Sequence, residues 1–149
     1  MDIITIASVF LAGLLAGEEL IVRYGVHPAL IALDDVTQVR ARQSLIYRMR
    51  VRVPVIFFAT LGTAIASLVV GGMDAGFAFR IASVVALAVW LGATFGGTVI
   101  INSAVIEWNA EAPPMNWRDM IVRWGRIDVV RSTAAIVAFA AVVIAAVVA

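Results

Sequence analysis

The chain has 149 residues, 63% of them hydrophobic, with a formal net charge of +1 and no cysteine. Soluble domains of this length sit nearer half apolar, and a mean hydropathy of +1.04 puts this chain well above them. The near-neutral charge gives no general attraction to nucleic acid, and the missing thiols exclude disulfides, thiolate metal sites and cysteine nucleophiles.

The apolar residues come in long blocks, the pattern of lipid-spanning helices. The first block, 3–22, is one crossing long. Only Asp2 stands where a secretory leader would carry basic residues, and no small-residue cleavage pattern follows, so the block is read as a retained helix. Gly25, His27 and Pro28 are expected to end it, because proline disfavours helical geometry in the residue before it. Residues 28–33 would then form an interfacial turn. Asp34 or Asp35 can cap a second helix by accepting orphan backbone N–H groups. That helix should begin near Val36 and reach Val70, with an arginine-rich first half, an apolar second half and a kink at Pro54. Gly71, Gly72 and Asp74 predict a tight turn. A third apolar block covers 77–106, Pro113 and Pro114 mark a loop, and a fourth helix should start at about Trp117. The expected fold class is all-α: a single domain, 1–149, forming an integral membrane four-helix bundle. Its crossings fall near 3–24, 51–70, 77–104 and 126–148, with the second and fourth helices extended into the cytoplasm.

All the cationic side chains are arginine. Arg23, Arg40, Arg42, Arg48, Arg50 and Arg52 lie between the first two crossings, and Arg118, Arg123, Arg126 and Arg131 lie between the last two. The opposite side has only Arg80. The positive-inside rule then puts both long connections in the cytoplasm and both termini outside, in a multi-pass protein of the inner membrane.

Several polar groups fall at membrane depth and need an explanation. Glu19, Arg23 and His27 are spaced by four and share a face if the helix continues that far, while Glu18 points elsewhere. An interfacial Glu–Arg pair and a functional acid account for them equally well. His27 is the only histidine; imidazole suits metal or haem ligation and acid–base work, although a histidine beside proline is more often a hydrogen-bonded helix end. Arg40, Gln43, Tyr47 and Arg50 make one stripe, with Arg42 off it; the stripe either lines a cavity entrance or binds lipid phosphate. Trp124, Asp128 and Arg131 share a face on the fourth helix, where Asp128 and Arg131 are spaced to pair. If that face looks inward it meets Asn102, which repeats with Thr94 and Thr98 every four residues on the third helix. Gly13 with Gly17, and Gly92 with Gly96, read as small-residue pairs for close helix packing. All these polar groups fall in the cytoplasmic half and the outer half is nearly bare. That argues against an ion channel or proton wire and for a pocket reached by an apolar substrate from lipid.

Five phrases in order, AGEELIVRYGVHPAL, RARQSLIYRMRVRVP, GTVIIN, EWNAEAPPMNW and RWGRIDVVRS, resemble the anthrone oxygenase-like family of small four-helix membrane proteins, in its bacterial branch. The resemblance covers nearly the whole chain. His27 and Pro28, Asn102, Asn116, Trp124 and Arg131 match the family's pattern, and Ile100 stands where its members often have proline. The resemblance implies oxidation of a lipophilic aromatic by molecular oxygen.

Three readings follow. The first is a membrane oxidoreductase, in particular an oxygenase acting on a lipophilic aromatic or quinone-like substrate, whose stabilised carbanion reacts with oxygen without a metal. Its expected catalytic set is Glu19 or His27 as base, with Asn102 and Arg131 as donors to the developing oxyanion. Arg50, also a donor, joins Tyr47, Gln43, Trp124 and Asp128 around the substrate. The second reading is a haem- or metal-binding protein using His27, with haem b as the group. The third is a non-enzymatic membrane subunit or carrier. The expected partners are membrane lipid, a hydrophobic small molecule and further copies of the chain as a homo-oligomer, with no nucleic acid.

Overall fold

The computed structural model describes residues 2–149 and consists of four long helices: α1 (Ile3–Ile31), α2 (Asp35–Val70), α3 (Phe77–Glu107) and α4 (Trp117–Val148). No strand occurs among the described residues. All four helices are long and apolar enough to cross a membrane. Caps set where the first two begin. Asp2 accepts the Thr5 N–H at 2.9 Å, and Asp34 accepts the Thr37 N–H at 3.0 Å, each satisfying a donor that the helix leaves orphaned. The Thr37 hydrogen bonds hold the Asp34 carboxyl below its ordinary range. Between α2 and α3, Gly72 takes φ 62°, a conformation that other residues rarely adopt.

Successive helices run in opposite directions. α1 packs on α2 and α4, and α3 packs on α4 and α2, so the bundle is a square. Leu15, Phe57, Leu87, Trp90, Ala135 and Ala138 form its central core. The alanines of α4 let neighbouring backbones come close, which is how helices pack when lipid tails remove the usual hydrophobic incentive. Large apolar residues face outward instead: Phe10 and Ile21 on α1, Val55 and Phe58 on α2, Val89 on α3 and Val137 on α4 are all exposed. Such stripes on every helix suit a hydrocarbon environment, in which the helices satisfy their own backbone groups.

α1 does not end at Gly25–Pro28 as the sequence predicts. Residues Val22–Val26 form a π-helical turn, and His27–Ile31 continues as α-helix. His27 stays helical at φ −61°, ψ −47° despite the proline after it. The wider turn shifts the hydrogen-bond ladder just where Pro28 lacks an N–H, so the helix passes the proline without breaking. α3 has a second π-turn at Thr94–Thr98. Beyond it α3 loosens from α4, and a space opens inside that end of the bundle. α2 runs unbroken through Pro54, whose missing N–H leaves the Arg50 carbonyl without its helical partner.

Of the expected glycine pairs only Gly13 serves close packing, since a Cβ added there would meet the Phe139 ring of α4 at 3.2 Å. Nothing approaches within 4 Å of a Cβ built on Gly92, Gly96 or Gly17. A tighter approach is at Gly97, where an added Cβ would clash with Ile127 Cδ1. Gly97→Val should therefore destabilise the protein by ~1–3 kcal/mol through overpacking. A lower melting temperature in detergent, largely recovered by adding Ile127→Ala, is the expected result.

Candidate functional site

The space beyond the π-turns is a cavity of about 410 Å³. Both π-turns contribute to its wall, through Val22 and Val26 on one side and Thr94 and Thr98 on the other. Its polar groups gather at two poles.

At the deep pole Glu19 is 1% exposed. Trp90 Nε1 donates to Glu19 Oε1 at 2.8 Å, and Arg131 Nη2 donates to the same oxygen at 2.5 Å. Glu19 Oε2 is buried with no partner. The donors are themselves fixed. The Trp90 ring stacks on Phe57 with centroids 4.2 Å apart, and the Arg131 guanidinium lies 4.6 Å from the Trp90 centroid. Arg131 Nη1 also reaches Thr98 Oγ1 at 3.5 Å. Glu18 lines the same cavity with a buried, unpartnered Oε2, so it does not point elsewhere. Both acids thus open on one space, at the end of the bundle where α3 parts from α4.

At the second pole, nearer the connections, His27 lies against Trp124 with centroids 5.1 Å apart. Arg42 Nη2 is 3.3 Å from His27 Nδ1, and its guanidinium lies 5.6 Å from the Trp124 centroid. Trp124 Nε1 donates to Asn102 Oδ1 at 3.2 Å.

Of the residues singled out from sequence, Glu19, His27, Arg50, Asn102, Trp124 and Arg131 line the cavity. Gln43 does not; its amide donates to the Val105 and Trp108 carbonyls at 2.9 Å each and ties off the end of α3. Tyr47 is exposed, with Arg50 5.1 Å from its ring centroid. Arg40 pairs with Glu111 on the surface, so the supposed stripe divides among separate tasks. Asp128 is buried beside the site but outside the lining, and Arg131 pairs with Glu19 rather than with it. Glu19 arrives from α1 and meets the Trp90 donor of α3, whereas Asp128 sits on the same helix as Arg131. Asn116 is the N-cap position of α4, away from the cavity.

Sequence reasoning missed Trp90 and Arg42. Trp90 carried a signal: a tryptophan midway along an apolar helix, far from an interface, needs a partner for its N–H. Arg42 lies off the Arg40–Arg50 stripe, and spacing alone carries no signal that brings it to the cavity.

The terminal end of the bundle is not bare either. Ser8, Ser67, Asp74, Arg80 and Ser83 line a second cavity of about 330 Å³ there. Arg80 holds Asp74 through two bonds of 2.7 and 2.8 Å, and that hydrogen bonding keeps the Asp74 carboxyl below its ordinary range. In sequence Asp74 reads as a turn former and Arg80 as the one arginine on its side; only the bundle gathers them with the serines. Between the two cavities lie Leu15, Phe57, Leu87 and Ala138, none more than 1% exposed, so the polar ends are separated by a dry core.

His27 does not fit an axial haem or metal ligand. Nδ1 faces the Arg42 cation, and Nε2 abuts Gly125 so closely that an added Cβ there would be 3.0 Å away. A ligating imidazole instead needs one open nitrogen and an acceptor for the other. No group of three or more His, Cys, Asp or Glu able to hold a metal ion occurs among the described residues.

Comparison with protein-family models, with curated proteins and with solved structures gives no match to this chain.

Proposed function

We propose that this membrane helical bundle is an oxidoreductase, of oxygenase type, that draws a lipophilic aromatic or quinone-like substrate from the bilayer into the larger cavity. One observation carries the reading: two donors pin one oxygen of Glu19 while the other oxygen is left buried and bare in a largely apolar space. A carboxylate held this way is oriented to accept a proton, and excluded water strengthens every charge interaction around it. The substrate class that suits it has a CH₂ group activated by flanking aromatic rings and a carbonyl. Glu19 takes one proton. The resulting anion passes an electron to O₂, the two radicals combine as a peroxide anion, and that anion takes the proton back from Glu19 to give the hydroperoxide. Loss of water then leaves a ketone, so that R₂CH₂ and O₂ become R₂CO and H₂O. Asn102, Arg50 and Arg131, all in the lining, are the donors assigned to the oxyanion in this reading.

The distribution of arginines supports an inner-membrane protein with both termini outside. The chain has no cysteine of its own, so single replacements report cleanly. An impermeant maleimide on intact cells should label Met73→Cys and spare Met115→Cys, both at highly exposed sites. The reverse pattern would overturn the orientation.

The activity itself is tested by adding anthrone to the purified protein in air. Oxygen uptake matched by anthraquinone formation, faster than the uncatalysed reaction, is expected. Stoichiometric binding without acceleration would defeat the enzyme and favour a carrier.

A further inference from the structure

Three arginines are buried in the bundle: Arg42 at 5% exposure, Arg80 at 7% and Arg131 at 7%. Two have a carboxylate, Asp74 for Arg80 and Glu19 for Arg131. Arg42 has none within ion-pair distance, and its Nε has no partner at all. Among the described residues its one hydrogen-bond partner is His27 Nδ1, which offers at best one lone pair, and the Trp124 face adds a weak cation–π attraction. An uncompensated charge in an apolar interior is strongly unfavourable. Arg42 lines the larger cavity, so the missing counter-charge has room to enter there.

We infer that the occupant of this cavity is an aromatic acid, whose carboxylate or phenolate oxygen docks on Arg42 while its ring system extends toward Glu19. The inference rests on the proposed substrate cavity and adds the polar end of the substrate to it. The two poles set the length of that molecule. Trp124 beside Arg42 and Arg131 beside Glu19 are seven residues apart on α4, about 10 Å at the α-helical rise. That is the scale of a small fused-ring aromatic bearing its acid at one end. The flat wall at the acid end is the Trp124 indole, held by Asn102. Arg42 is thus a specificity residue: it selects an anionic ring system over a neutral hydrocarbon of the same shape.

The test uses the full chain in detergent, with anthracene-2-carboxylate and anthracene-2-carboxamide as probes and energy transfer from tryptophan as the readout. Empty micelles provide the partition control. The acid should bind at least about tenfold tighter than the amide, as expected for a charge-assisted hydrogen bond. Arg42→Met should erase the preference while leaving amide binding in place, and Arg42→Lys should retain part of it. Equal affinity of the two probes for the unaltered protein would overturn the inference, whatever the variants do. It would also fall if the probes bind equally while Arg42→Met strips a phospholipid identified by mass spectrometry, since the anion would then be a lipid phosphate. Binding and turnover separate the two ideas. Acid preference without anthrone oxidation defeats only the oxygenase, and oxidation without acid preference defeats only the role of Arg42.

Discussion

Glu19→Gln is expected to lower anthrone turnover by about 10²–10⁴-fold, the usual range for a positioned proton-transfer group. The substitution keeps the shape of the side chain. The amide oxygen can still accept from Trp90 and Arg131, whose donors now meet Glu19 Oε1. What disappears is the second carboxylate oxygen, the bare one, replaced by an NH₂ that cannot accept a proton. Helicity should persist, because the apolar core around Leu15 and Leu87 is untouched. The companion variant Glu18→Gln separates the two acids. Glu18 lines the same cavity but lacks the Trp90 and Arg131 clamp, so its loss should slow turnover less. Product formation with substrate in excess, compared at equal amounts of folded protein, measures both. Full activity in Glu19→Gln would remove the base from the mechanism.

Much of the scaffold was legible in the chain because membrane helices announce themselves by length and apolarity. The start at Trp117 and the end at Val70 fall where the sequence put them. The failures share a cause. Spacing arguments assume regular 3.6-residue turns, and two of the four helices that wall the cavity, α1 and α3, contain a π-turn. A π-turn changes which residues share a face, so the registers of Glu18, Glu19, Arg23 and His27 could not be read by counting in fours. Arg23 illustrates this: it turns to Ser132 Oγ at 3.1 Å, away from His27. Pairing choices were equally hidden. Asp128 and Arg131 have the right separation on one helix, but which acid an arginine takes depends on what the neighbouring helix delivers. The Arg80–Asp74 cluster stayed invisible for the same reason, since its serines come from three helices.

Arg131→Met is expected to be the most destabilising single change, by roughly 3–5 kcal/mol, the scale for orphaning a buried ion-pair partner. Among the described residues Arg131 is the only cation paired with Glu19, and their side chains are 8% and 1% exposed. Methionine fills much of the volume but leaves a carboxylate without its counter-charge, and the Trp90 ring loses the cation stacked on it. If the loss comes from the stranded charge rather than from packing, a second substitution should reverse it. The double variant Glu19→Gln, Arg131→Met removes both charges, keeps the Trp90 donor paired and should recover more than half of the lost stability. Chemical denaturation of the four proteins of this cycle in one detergent gives the coupling directly, and contacting residues of this kind typically couple by about 0.5–3 kcal/mol. Arg131→Lys adds a finer distinction. A lysine keeps the charge but lacks the planar fork that spans Glu19 Oε1 and Thr98 Oγ1, so it should fold nearly normally yet hold Glu19 less firmly. Turnover should then fall more than stability does. Strictly additive losses across the cycle would mean that Glu19 and Arg131 do not act as a pair, and the positioned carboxylate on which the proposed chemistry depends would go with them.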